Sequence, residues 1–345
     1  MFYTSTRDKS IKVTSSQAIS HGISAEGGLF VPEEIPHITM DDIVRLADCD
    51  YIERAKEILS LYLTDFTAEE IDSCVKGAYG EGKFSSDKIA PLHTLTKGVE
   101  ILELWKGPTC AFKDMALQLL PHLLTVASAK SEPGKQIVIL VATSGDTGKA
   151  ALEGFKDVNN TKILVFYPND GVSPMQKLQM ATQEGSNVKV YSVVGNFDDA
   201  QNGVKKIVTQ KGANTFVVGI HGNFDDAQTG VKKIFTDKAV AAKLAEQGMM
   251  FSSANSINWG RLVPQIVYYV SAYCEMLNKG EIKPGDGINV VVPTGNFGNI
   301  LAAYYAKEMG VPIKKLVCAS NANNVLTDFL TTGTYTAKRE FFKTT

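Results

Sequence analysis

Cysteine is sparse in this 345-residue sequence, and its five copies (Cys49, Cys74, Cys110, Cys274, Cys318) are scattered with no CxxC pair. That pattern argues against a disulfide framework or a zinc-finger-like site. The five histidines (His21, His37, His93, His122, His221) show no HExxH or other ligand spacing, so no metal is expected. Long apolar runs are missing as well. Nothing approaches the roughly 18 consecutive residues of a membrane helix, and no membrane partner is expected. The opening MFYTSTRDKS lacks the charged-then-apolar order of a secretory signal and is not an Arg-rich amphipathic leader, which makes the cytoplasm the expected location. No sign of charge dominates: Lys plus Arg number 35, Asp plus Glu 37, a net of −2. A chain that tracks the phosphates of a nucleic acid carries a basic excess, so nucleic acid is not an expected partner. A small anion needs only a few local donors and is compatible with this balance.

What is present is the composition of an ordinary globular protein, 44% hydrophobic and 21% charged, in a length that suits about two domains. Residues 1–95 read as a mostly helical N-terminal domain. Helix-like stretches cover 41–63 and 67–79, the second opening TAEE, where Thr67 caps and Glu70 closes a capping box. From about residue 135 short apolar runs alternate with turns and helical periodicity. The runs are QIVILVA (136–142), KILVFYP (162–168), VKVYSVV (188–194), NTFVVGI (214–220), INVVVP (288–293) and KKLVCA (314–319). Uninterrupted runs of this kind suit strands covered on both faces, and helices such as 261–277 and 300–309 supply the right-handed crossovers between them. The fold class expected for 96–345 is therefore α/β with largely parallel sheets. In such sheets ligands sit beyond the carboxyl ends of the strands.

One unit is duplicated: GNFDDAQNGVKKI at 195–207 and GNFDDAQTGVKKI at 222–234 match at twelve of thirteen positions. Asp198/Asp199 and Asp225/Asp226 read either as paired acids or, as we favour, as residues at the helix starts of a copied strand–helix unit, where the dipole accommodates them.

Four clusters carry chemistry. In ELWKGPTCAFKDMALQ (103–118), Lys113 lies near a helix start among Phe112, Met115, Ala116 and Leu117. Apolar company and a positive helix end both disfavour the ammonium, the condition for an amine that forms a Schiff base; a solvated surface lysine is the other reading. In VATSGDTGKAAL (141–152) a strand ends in Thr143, Ser144, Gly145, Asp146 and Thr147 and a helix begins, an anion site or an ordinary capped turn. It is not a Walker A loop, since Lys149 precedes Ala150. In VVPTGNFGNILAAYY (291–305), Gly295 and Gly298 allow close backbone approach at another strand-to-helix turn, suited to a fixed phosphate. In SSANSINWGRL (252–262), Asn255, Ser256, Asn258 and Arg261 gather donors, Arg261 offering a planar fork for phosphate, although Ser/Asn pairs also simply cap helices.

Together with HGISAEGGLFVPEEIP (21–36), PTGNFGNILAAYYAKEMGVPI (293–313) and SNANNVLTDFLTTGTY (320–335), these clusters resemble threonine synthase, of the branch with an extended N-terminal domain, in the expected order along nearly the whole chain. The resemblance implies a type II pyridoxal 5′-phosphate (PLP) fold, related to the tryptophan synthase β-subunit. It implies that Lys113 is both catalytic and the residue that binds PLP as a Schiff base, and that Gly295, Asn296, Phe297, Gly298 and Asn299 hold the cofactor phosphate. Thr143, Ser144, Gly145, Asp146, Thr147, Asn255, Ser256 and Arg261 would bind the substrate, Asn255 and Arg261 its phosphate. The implied reaction turns O-phospho-L-homoserine and water into L-threonine and phosphate, in a monomer or homodimer. A related PLP phospho-lyase, a Ser/Thr dehydratase and an inactive PLP-binding fragment are the alternatives. The chain stops at REFFKTT, where the family continues for roughly another hundred residues, so the partner of the pyridine nitrogen is expected beyond it.

Overall fold

Local capping rules build the N-terminal elements. The structure, a computed structural model, describes residues 1–143, 145–168, 172–193, 234–235, 237–293 and 297–336. Strands β1 (Tyr3–Ser5), β2 (Lys12–Val13) and, after helix α1 (Ser15–His21), β3 (Phe30–Pro32) form a small antiparallel sheet with β1 central. Helices α2 (Met40–Ala47), α3 (Tyr51–Tyr62) and α4 (Ala68–Tyr79) follow, each with a capping box. Thr67 and Glu70 close the one expected for α4. The single helical stretch expected over 41–63 is two helices, because Asp50 turns away and accepts the Glu53 N–H to start α3. The three-stranded sheet is an addition to the expected helical unit. A hairpin of β4 (Leu92–Thr96) and β5 (Val99–Leu102) spans position 95, and one continuous core runs from Tyr3 and Ile43 to Val292 and Ile313.

The short helix α5 (Asp114–Leu117) and α6 (Leu120–Ser131) lead into the α/β region: β6 (Gln136–Ala142), α7 (Asp146–Phe155), β7 (Thr161–Pro168), α8 (Pro174–Ala181), β8 (Val188–Val193), α9 (Lys238–Glu246) and β9 (Met249–Ser253). These strands form a parallel sheet in the order β8-β7-β6-β9. The alternation of a strand covered on both faces is visible in β6. Ile137, Ile139 and Val141 enter the main core, while Val138, Leu140 and Ala142 pack with Leu164, Val240 and Leu244 on the opposite face. Helix α10 (Trp259–Asn278), buried along most of its length, then leads to β10 (Ile288–Pro293), α11 (Gly298–Glu308), β11 (Ile313–Ala319) and α12 (Val325–Thr332). Strands β10 and β11 pair in parallel. The expected runs at 136–142, 162–168, 188–194, 288–293 and 314–319 are thus found as strands within a residue of their bounds. The run at 214–220 and the duplicated unit, Ile234 apart, lie outside the described residues. No helix among the described residues is long and apolar enough to cross a membrane.

Candidate active site

The carboxyl ends of β6 and β9 and the starts of α5, α7 and α11 come together at one place. Asn255, just beyond β9, donates its amide Nδ2 to the Ala142 carbonyl at 2.9 Å and accepts the Ala142 N–H at 3.3 Å, tying the two strand ends together. Gly298 at the start of α11 faces the next residue of that loop, since a Cβ placed on it would lie 3.7 Å from Ser256 Cβ. Lys113, before α5, reaches across to Asp146, the first residue of α7, at 3.6 Å. Arg261, in the first turn of α10, donates to the Ala254 carbonyl at 2.6 Å.

Lys113 has only 13% of its side chain exposed, and its ammonium sits 4.4 Å from the centre of the Phe112 ring. Burial pulls its pKa below the ordinary lysine value; Asp146 opposes this and Arg261 adds to it. The sequence placed this lysine in a helix field. Helix α5 has only four residues and Lys113 is its N-cap residue with no side-chain cap, so loss of water is the dominant cause. Asp146 is itself held by Gln176 of α8, whose Nε2 donates to Oδ1 at 2.9 Å. Gly145 lies so close to that amide that a Cβ there would fall 2.3 Å from it, with φ at +149°, a conformation open to glycine.

Two buried arginines show what Arg261 lacks. Arg54 donates to the carbonyls of Leu46 and Ala47 and to Ser271, and pairs with Glu275 at 2.9 Å. Arg261 is 2% exposed, has the one carbonyl partner, leaves Nε without any, and forms no ion pair among the described residues, the Asp114 carboxylate acting on it only from beyond ion-pair distance. Burial brings its pKa down to about 10. Among the described residues no group of three or more His, Cys, Asp or Glu is placed to hold a metal.

Other donors are already engaged. The Thr143 hydroxyl accepts the N–H groups of Gly145 at 3.0 Å and Gly148 at 2.9 Å, so part of the free N–H set expected at the start of α7 is used by the turn itself. Asn299 is buried, and its Oδ1 accepts the hydroxyls of Tyr268 at 2.7 Å and Tyr269 at 2.5 Å, which turns its Nδ2 the other way. Thr147 is partly buried in the first turn of α7, Ser256 is exposed and Phe297 half-exposed. Ser144, Gly295 and Asn296 lie outside the described residues. Sequence reasoning passed over Gln176, the Tyr268/Tyr269 pair and Asp114. The pair carried a signal, because tyrosine hydroxyls inside an apolar helix require partners.

Comparison with known proteins bears on the chain as a whole. Residues 2–79 match the family described as the threonine synthase N terminus. Threonine synthase-like 1 of Mus musculus is 43% identical over 93% of this chain and 40% of its own length. Threonine synthase of Schizosaccharomyces pombe is 36% identical over 96% of this chain and 59% of its own. The solved structure of PLP-bound threonine synthase from Brucella melitensis superposes with a TM-score of 0.78 at 36% identity, covering 96% of this chain and 63% of that one. The chain therefore spans less than two thirds of the length of these relatives. The expected architecture, parallel α/β sheets with crossover helices joined to an N-terminal unit, is the one they share.

Proposed function

We propose that this chain belongs to the threonine synthase family, holds PLP on Lys113 and converts O-phospho-L-homoserine and water into L-threonine and phosphate. Arg261 carries the reading. A buried cation without an ion-pair partner is unfavourable, and the phosphate of such a substrate supplies a close counter-charge with oxygens that suit a guanidinium fork.

The chain's residues fit PLP. Lys113 is a buried amine with lowered proton affinity, as a Schiff-base lysine requires. The start of α11 presents a helix N-terminus and an Asn299 Nδ2 that the tyrosines leave unengaged. Both suit a phosphate, and we assign Gly295 to Asn299 to that role. When bound, PLP supplies an electron sink for charge developing on the substrate. Lys113 Nζ accepts the substrate's Cα proton and returns it further along the substrate. Asp146 keeps that amine oriented. Arg261 stabilises the charge that gathers on the departing phosphate. The turn of Thr143, Ser144, Gly145, Asp146 and Thr147 borders the substrate's amino-acid end. Asn255 acts mainly by fixing the strand ends that place Ser256 and Arg261.

The 43%-identical relative carries the name threonine synthase-like 1 and not threonine synthase, and a related phospho-lyase that does not add water back is the second reading. Borohydride reduction of the PLP-loaded chain followed by peptide mapping tests the cofactor site: the label is expected on Lys113, and a label elsewhere sinks the proposal. Product analysis separates the two readings. Phosphohomoserine is expected to give phosphate and threonine; phosphate with a keto acid and ammonia would establish the second.

A further inference from the structure

We propose that Asp114 is the positioning residue of this site, a carboxylate clasp that folds residues 107–113 into the turn from which the Lys113 amine projects. The inference rests on Lys113 being the working amine of the proposed function.

Asp114 is fully buried, and one residue takes both of its oxygens. Thr109 donates its backbone N–H to Oδ2 at 2.8 Å and its hydroxyl to Oδ1 at 2.6 Å. Asp114 has no ion-pair partner among the described residues. Burial raises its pKa and the Thr109 bonds oppose this. The turn fits tightly against the clasp. A Cβ on Gly107 would lie 2.5 Å from Asp114 Cβ. The Cys110 N–H bonds back to the Gly107 carbonyl at 3.1 Å, with Cys110 itself at φ +55°. A side-chain-bearing residue stays in that left-handed region only where its surroundings over-determine it. A buried carboxylate is an unfavourable way to close a turn, since neutral Asn, Ser and Thr side chains close turns too. What distinguishes this turn is its last residue, Lys113, placed against the Asp146 carboxylate and within electrostatic reach of Arg261. Glu153 of α7 acts on Asp114, and Asp114 in turn favours the charged forms of Lys113 and Arg261.

Thr109→Val removes the hydroxyl donor at nearly constant volume, and Thr109→Ser keeps it. Two readouts on the full chain decide the matter: the Kd for PLP from absorbance titration, and the pH midpoint for acetylation of Lys113, measured by competitive labelling and mass spectrometry without PLP. Thr109→Val is expected to weaken PLP binding by about tenfold, the loss of a hydrogen bond to a charged group. It should also move the labelling midpoint up toward that of an ordinary lysine as the amine gains water. Thr109→Ser is expected to restore both. A turn that serves only stability would lower the unfolding temperature of Thr109→Val and leave Kd and midpoint unmoved. That result overturns the proposal, as does a Thr109→Ser as impaired as the valine variant. Should the valine variant not fold, Asp114→Asn, which keeps one acceptor, takes its place with PLP affinity as the readout: weakened binding supports the clasp and unchanged binding overturns it. If the parent chain fails to take PLP on Lys113, the proposed function falls, while the midpoints still decide the clasp.

Discussion

Replacing Arg261 by methionine should stabilise the ligand-free chain and abolish its response to phosphate. The guanidinium is buried, and its pKa falls from the ordinary arginine value to about 10 in the folded chain, which at roughly 1.4 kcal/mol per pKa unit corresponds to about 3 kcal/mol against holding the charge. Methionine has similar reach and no charge, but it leaves the Ala254 carbonyl without its donor, which costs about 1–2 kcal/mol. The net expectation is a gain of about 1–2 kcal/mol, in line with apolar replacement of buried charges elsewhere. Urea unfolding at neutral pH, followed by the fluorescence of buried Trp259, measures it. Ligand linkage supplies the second half of the test. Phosphohomoserine at a hundredfold excess over its Kd should stabilise the parent by about 2.7 kcal/mol and leave Arg261→Met unmoved. The pH dependence has a definite sign: in the window from about 10 up to the ordinary arginine value, the unfolded chain holds this proton more tightly than the folded chain does. Parent stability therefore gains relative to the variant as pH rises through that window. A variant clearly less stable than the parent, or one still stabilised by the phosphorylated ligand, would refute the reasoning.

Asp146→Asn removes the carboxylate 3.6 Å from the Lys113 amine. Because that carboxylate favours the ammonium, the labelling midpoint of Lys113 should fall, and an unchanged or higher midpoint would remove Asp146 from the site. Tyr269→Phe takes away one of the two hydroxyls that orient Asn299. The expected result is a PLP affinity up to about tenfold weaker with little change in unfolding temperature, and equal affinity counts against the role given to Asn299. Gly145→Ala places a methyl against Gln176 at a φ of +149°, with a penalty of about 1–3 kcal/mol. A thermal melt matching that of the parent would show that the Gln176 contact gives way freely.

Strands β6, β7, β8, β10 and β11 were legible because long Val/Ile/Leu runs suit a strand whatever its neighbours. Strand β9, MMFSS, was not read as one: two of its five residues are serines, and its strand character comes from the slot beside β6. Strands β1 to β3, two or three residues each, have no period to read and exist through pairing alone. The break at Asp50 was readable in principle, since Asp50 and Glu53 form the same capping box that was recognised at Thr67. The site divides along the same line. Lys113 and Arg261 stand out by motif, but the surroundings proposed to make them work are set largely by groups distant in sequence. Asn255 engages Ala142, 113 residues earlier. Arg54 and Arg261 are alike in type and burial, and no local signal shows which of the two folding leaves short of partners. Arg54 is completed by Ser271 and Glu275 more than two hundred residues on, so nothing is left for it to bind. Arg261 receives no such partner among the described residues. A polar residue becomes a binding group when folding removes its water without replacing it, and that shortfall is written in the contacts of the folded chain, where a linear motif cannot record it.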